Sequence, residues 1–141
     1  MRIFAILIAL TAVAAAAPVT VTKTEIKISK PIFFDAGKPT IKSESRVILD
    51  HIAAAMTKDQ KIGLVEIGVH TDARGNDEWN LELSQKRADA IHAYLVGKGI
   101  DANRLRAKGY GETKPLDKGT SAAAMARNRR TQLVILQRHT T

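Results

Sequence analysis

The chain has 141 residues, a length that favours one domain, and its 45% hydrophobic content suits one packed core but not a polytopic membrane protein. It has no cysteine, which excludes disulfides, a thiolate metal site and a lipid anchor attached through cysteine. The net charge of +8, from 22 basic and 14 acidic residues, suits an anionic partner such as nucleic acid, phospholipid head groups or an acidic cell-wall polymer.

The N-terminal stretch has the three-part layout of a secretory signal peptide. Arg2 is positive, an apolar run follows from Ile3, and small residues stand at Ala14 and Ala16. We expect cleavage after Ala16, because the alternative, an uncleaved membrane anchor, prefers about 20 apolar residues. An exported chain rarely meets nucleic acid, so the basic surplus indicates an envelope polymer or a membrane surface.

The first predicted elements follow the signal segment. Residues 17–25 are polar and β-branched without periodicity, and they predict a short arm or a sheet edge. Residues 26–34 alternate apolar and polar side chains up to Pro31, which predicts a strand with the proline at an edge or bulge. A turn is expected over 34–40.

Two helices and the strand between them come next. The first helix begins at Ser43 as the candidate N-cap, and residues 61–70 alternate in the way typical of a central strand. The longest helix is predicted over 77–98 and ends at the glycines that follow it. The apolar positions at helical spacing in the first helix are Val47, Ile48, Ile52 and Ala55.

The C-terminal part predicts two more strands. Residues 103–111 form a strand candidate that runs into a glycine-rich loop, 122–126 favour a short helix, and 131–137 form a closing strand. The order β-α-β-α-β-β predicts an α+β fold, a mixed sheet with two helices packed on one face.

Arg87 stands on an unexpected face of the long helix. At about 100° per residue, Asn80 and Arg87 share a face with Ser84, at the border of the apolar stripe. A guanidinium at the border of a core needs a partner, because an unpaired charge there is costly. The partner is either an internal acid, Asp72 or a glutamate, or a ligand.

Asp72 lies between a strand end and a turn, where ligands often bind near a helix N-terminus. It could equally form an Asx-turn or a helix cap. A metal pair with His70 is not expected, since no further ligand residue stands nearby, and no cofactor is expected. Two further clusters are Asp35 at the end of the first strand and the basic triplet Arg127, Arg129 and Arg130, which could simply be a solvated face.

Four motifs occur in order and identify a family resemblance. HTD-x-x-G, N-x-x-LS-x-x-RA, GYGE and NRR stand at sensible spacing across residues 26–137. Together they resemble the OmpA-like C-terminal domain, the peptidoglycan-associating module of Gram-negative envelopes. The expected organisation is a signal peptide over 1–16, an N-terminal arm over 17–25, the OmpA-like domain over 26–138 and a tail over 139–141.

The resemblance implies the sandwich fold of that family and noncovalent binding of peptidoglycan through the diaminopimelate of its stem peptide. Asp72 would take the ammonium group of the ligand, and Arg87 would take its carboxylate. Asp35, Asn80 and Arg129 fall where the family places supporting contacts. An aspartate and an arginine complement a zwitterion, and an arginine fork holds a carboxylate through two parallel hydrogen bonds.

The resemblance implies a periplasmic location and is compatible with association with the outer membrane. Outer-membrane or other envelope proteins are the further partners that it implies. Val69 and Thr131 depart from the family pattern, which usually has glycine and valine there, and Val69 could tighten the pocket. The competing interpretation is a basic envelope adaptor that binds another membrane protein or anionic lipid, with Asp72 and Arg87 purely structural. No nucleophile with a base and an oxyanion site is assembled, so an enzyme is not expected.

Overall fold

The computed structural model describes residues 16–140, so the expected signal peptide lies outside the described part except for Ala16. Within that part, no helix combines the length and the apolar character that a membrane span requires. The strands are β1 (Val19–Val21), β2 (Glu25–Ile28), β3 (Ile62–His70), β4 (Leu105–Gly111) and β5 (Arg130–Arg138), and the helices are α1 (Ser43–Lys58), α2 (Asp77–Gly97) and α3 (Ala122–Asn128).

One mixed sheet carries all five strands of the described chain, in the order β1-β2-β5-β3-β4. The pair β3–β4 is parallel and the other pairs are antiparallel. Because β5 enters between β2 and β3, the last strand completes the centre of the sheet. The predicted α+β class is confirmed, and the segment expected as an arm or edge supplies the outermost strand β1.

The core lies between the sheet and the two long helices. Buried residues of α1 recur three and four positions apart, from Ser45 through Ile52 to Met56, so one stripe of the helix faces the sheet. The predicted apolar face of α1 is shifted, because Val47 is 57% exposed whereas Leu49 is fully buried.

Two predicted boundaries differ from the structure. The first long strand ends at Ile28 and does not reach residue 34, since Pro31 has no N–H with which to continue a ladder. Beyond it the chain makes only an isolated bridge between Phe34 and Ile41. The cap of α1 is Lys42, which offers no side-chain cap bond, so the predicted N-cap Ser43 is instead the first helical residue.

Helix α2 approaches the outer strand β4 closely. A Cβ atom on Gly109 would lie 2.1 Å from the backbone nitrogen of Gln85, so only glycine fits there. Gln85 accepts a hydrogen bond from the Gly109 N–H at 2.8 Å and donates one to the Ala107 carbonyl at 3.3 Å. Ser84 Oγ accepts from the Gly111 N–H at 2.9 Å. Side chains of α2 thus bond to backbone groups of the sheet edge.

Candidate functional site

A cavity of about 350 Å³ opens where β3 ends and β5 begins. Its lining combines apolar side chains with the guanidinium groups of three arginines, and none of the described lining residues is acidic. This charge pattern fits an anionic group attached to an apolar or aliphatic body. The lining consists of Pro31, Ile32, Phe33, Phe34, Val69, His70, Arg87, Ala126, Arg129, Arg130 and Thr131.

Arg87 is half-buried and is held by backbone carbonyls. Its Nε donates to Lys38 O at 2.9 Å, and its Nη2 donates to Asp35 O at 3.2 Å. The guanidinium carbon lies 4.9 Å from the centre of the Phe34 ring. Burial lowers the pKa of Arg87, and within residues 16–140 it forms no ion pair. The internal pairing of Arg87 with Asp72 or a glutamate, one of the two expected options, is therefore not what the structure shows.

Asp72 is buried, with 6% of its surface exposed, and is bound by two arginines. Arg74 donates from its backbone N–H and its Nε to Oδ1, at 2.9 and 3.1 Å, and from Nη2 to Oδ2 at 2.8 Å. Arg129 Nη1 donates to Oδ2, also at 2.8 Å. The hydrogen bonds from Arg74 hold the pKa of Asp72 well below its usual range, although burial opposes this shift.

The five predicted contact residues take different places. Arg87 and Arg129 line the cavity, whereas Asp72 is linked to it through Arg129. Asn80 donates to Arg74 O at 2.8 Å and so ties the loop after β3 to α2. Asp35 reaches Arg87 through its backbone carbonyl. Arg87 and Arg129 thus line one cavity. Asp72, Asn80 and Asp35 do not line it and contact it only through neighbouring residues.

The basic triplet before the last strand is not one solvated face. Arg127 pairs with Asp117 on the neighbouring loop. Arg129 pairs with Asp72, and Arg130 donates to the carbonyls of Asn128 and Lys114 at 3.3 and 2.9 Å. Each arginine therefore bonds to different partners, and Arg129 and Arg130 also line the cavity.

His70 stacks on Tyr110, with ring centroids 4.8 Å apart. Burial, with Arg130 and Lys114 nearby, lowers the pKa of His70 to about 4 from 6.5. The described residues contain no group of three or more potential ligands that could hold a metal ion.

Stability should fall as the pH drops from about 6.5 to about 4, because the unfolded chain takes up a proton on His70 that the folded protein resists. The drop in the pKa of His70 from 6.5 to about 4 sets an upper limit of about 3–4 kcal/mol for this loss of stability. His70→Phe keeps the stacked ring and removes the titration, so its urea unfolding curves should lose this part of the pH dependence. An equal loss in both proteins would contradict the assignment.

Two residues of the site are not predicted from the sequence. Arg74 stands two positions after Asp72, and that short spacing within a turn could have indicated an internal pair. The sequence predicts that Phe34 belongs to a strand, whereas its ring lies beside the Arg87 guanidinium outside the named strands.

The fold and the cavity define an α+β domain with a cationic cleft at one end of its sheet. The chain belongs to the OmpA family, whose model matches residues 33–129. The predicted family is confirmed by this match.

Several characterised proteins are similar to the chain. Outer membrane protein A of Bordetella avium is 38% identical over 104 residues, which are 74% of this chain and 53% of that protein. The peptidoglycan-associated lipoprotein of Haemophilus influenzae is 41% identical over 102 residues, 72% of this chain and 66% of that protein. The chain thus spans between about half and two thirds of the length of these two relatives.

Solved structures agree with the fold. The peptidoglycan-associated lipoprotein from Burkholderia pseudomallei superposes with a TM-score of 0.65 at 31% identity, covering 74% of this chain and 89% of that one. The cell wall anchor of the T6SS from Pseudomonas aeruginosa gives a TM-score of 0.68 at 28% identity, covering 84% and 86%. The sheet and helices described above therefore also occur in these two solved structures.

Proposed function

We propose that this protein binds peptidoglycan noncovalently, through the free end of diaminopimelate in the stem peptide, in the Gram-negative periplasm and without catalysis. That free end carries an ammonium group and a carboxylate on one carbon. Arg87 and Arg129 would hold the carboxylate, and Asp72 would receive the ammonium. The proposal extends to this chain what the names of its relatives state for them, association with peptidoglycan and attachment to the cell wall.

One observation carries the proposal: Arg87 is a half-buried guanidinium without a carboxylate partner among the described residues. Burying an unpaired charge is costly, so such a group is retained where a ligand compensates it. Its two bonds to Lys38 and Asp35 use Nε and one Nη2 hydrogen. Since a guanidinium has five N–H donors, others remain available for a carboxylate.

The test uses isolated sacculi of two chemistries. We expect the protein to sediment with diaminopimelate-containing sacculi and not with sacculi that have lysine at the same stem position. Lysine is a matched control because it lacks only the terminal carboxylate. Free meso-diaminopimelate should compete for binding, whereas free lysine should not.

The same assay addresses the adaptor interpretation. An adaptor that recognises only negative charge would bind both sacculi alike and would release both as salt rises, because exposed charges are screened within about 8 Å at physiological ionic strength. Equal binding to both kinds of sacculi, without competition by free diaminopimelate, would refute the proposed function.

A further inference from the structure

All acceptor positions of Asp72 are already used by arginine. Its two oxygens receive four N–H groups, three from Arg74 and one from Arg129, at 2.8 to 3.1 Å. A carboxylate offers about four lone-pair sites. The side chain is also only 7% exposed. A ligand ammonium therefore finds no free acceptor unless one guanidinium leaves.

Arg74 is better placed to leave than Arg129. Its side chain is 65% exposed against 48% for Arg129, and it does not line the cavity. Arg129 lines the cavity, so a bound carboxylate would hold it in place. The Arg74 backbone is fixed separately, because its carbonyl accepts from Asn80 at 2.8 Å and its N–H donates to Asp72 at 2.9 Å. Only the Arg74 side chain has to swing into water.

We propose that the Arg74 guanidinium is an internal competitor of the ligand amine. It occupies the acceptor position on Asp72 that the amine needs, so the amine must displace it. This inference rests on the proposed function and names the residue that sets selectivity within the same site. An anion without an amine binds the cavity arginines and leaves Arg74 where it is. A ligand that carries both groups replaces one cation on Asp72 by another.

Arg74 weakens ligand binding because it occupies Asp72 in most molecules, and only the remaining molecules are competent to bind. When only part of a population is competent to bind, the apparent dissociation constant rises by the inverse of that part. Exposed ion pairs are weak, and Arg74 is mostly exposed, so the closed form should predominate by only a modest factor. We expect Arg74→Ala to bind meso-diaminopimelate about threefold to tenfold more tightly than the parent.

Matched variants and a matched ligand make the test specific. Calorimetric titration with meso-diaminopimelate should give a tighter constant for Arg74→Ala, one near the parent for Arg74→Lys, and a weaker one for Arg129→Ala. Pimelate, which has the two carboxylates without the amines, should bind Arg74→Ala no more tightly than the parent. A general effect of removing one positive charge would not give opposite results for the two arginines.

A second readout needs no ligand. Carboxyl titration by NMR should show a higher pKa for Asp72 in Arg74→Ala than in the parent, because the largest cause of its lowered pKa is removed. Glu112 also interacts with Asp72, so its titration should be followed in the same spectra as a separate carboxyl signal.

The outcomes separate the two proposals. If the parent binds diaminopimelate and Arg74→Ala binds it equally or less tightly, the competitor is refuted and the proposed function stands. An unchanged Asp72 pKa in Arg74→Ala likewise refutes the competitor alone. If neither protein binds diaminopimelate, the proposed function fails, and the competitor fails with it.

Discussion

Gly109→Ala should prevent stable folding. The added Cβ would lie 2.1 Å from Gln85 N, 2.5 Å from Gln85 Cα and 2.6 Å from Ser84 C, all of them backbone atoms that cannot rotate away. Relief requires α2 to move off β4, which also breaks the bonds from Gln85 to the strand. Overpacking usually costs about 1–3 kcal/mol. Because this clash is with backbone, we expect more than about 4 kcal/mol, an exceptional value for one substitution.

Gly97→Ala is the matched control. This glycine ends α2, and a Cβ there would meet nothing within 4 Å. Alanine is the better helix former by about 1 kcal/mol, so this variant should be as stable as the parent or more stable. Urea unfolding followed by circular dichroism measures both variants. A Gly109→Ala protein with parental stability would show that α2 and β4 do not approach as described.

Arg87→Ala and Asp72→Ala should each reduce affinity for diaminopimelate-containing sacculi at least thirtyfold. Truncating one partner of a desolvated charge pair typically costs about 2–5 kcal/mol of binding. At about 1.4 kcal/mol per tenfold, the lower figure corresponds to roughly thirtyfold. Asn80→Ala and Arg129→Ala should give smaller losses in the same sedimentation assay.

The charge control for Arg87→Ala is Arg106→Ala on β4, an exposed arginine whose removal lowers the net charge equally. It should keep parental binding. Arg87→Ala also loses two hydrogen bonds to carbonyls, so thermal unfolding must be recorded and binding measured well below the transition. Folded Arg87→Ala and Asp72→Ala proteins with parental affinity would refute the site assignment.

Periodicity predicts the elements of this fold well, and motifs predict its family. Alternation marked β3, the stretch 131–137 marked β5, and the glycines after α2 marked its end, because local pattern decides these features. The end of β2 was predicted too late, since sequence alone does not tell whether a residue after a proline still finds a strand partner. Three-dimensional pairing decided that boundary.

The motifs indicated which residues of the site to consider but not how they are connected. The face shared by Asn80 and Arg87 follows from helix geometry, yet their tasks differ: one fixes a loop and the other faces the cavity. The contact from Asp35 to Arg87 uses a backbone carbonyl, which no residue type reveals. The partners of Asp72 include Arg129, 57 positions along the chain, and tertiary folding alone sets such a contact.

The hydrogen bonds between β4 and the side chains of Gln85 and Ser84 affect whether two copies of the protein can associate through the edges of their sheets. Exposed strand edges act as templates for fibres and swapped dimers. Here one margin of the described sheet is occupied by helix side chains, and the other margin is the three-residue strand β1. Two copies of this domain that meet edge to edge can therefore remain separate, because neither margin of the described sheet offers a long row of free backbone groups with which a second chain could pair.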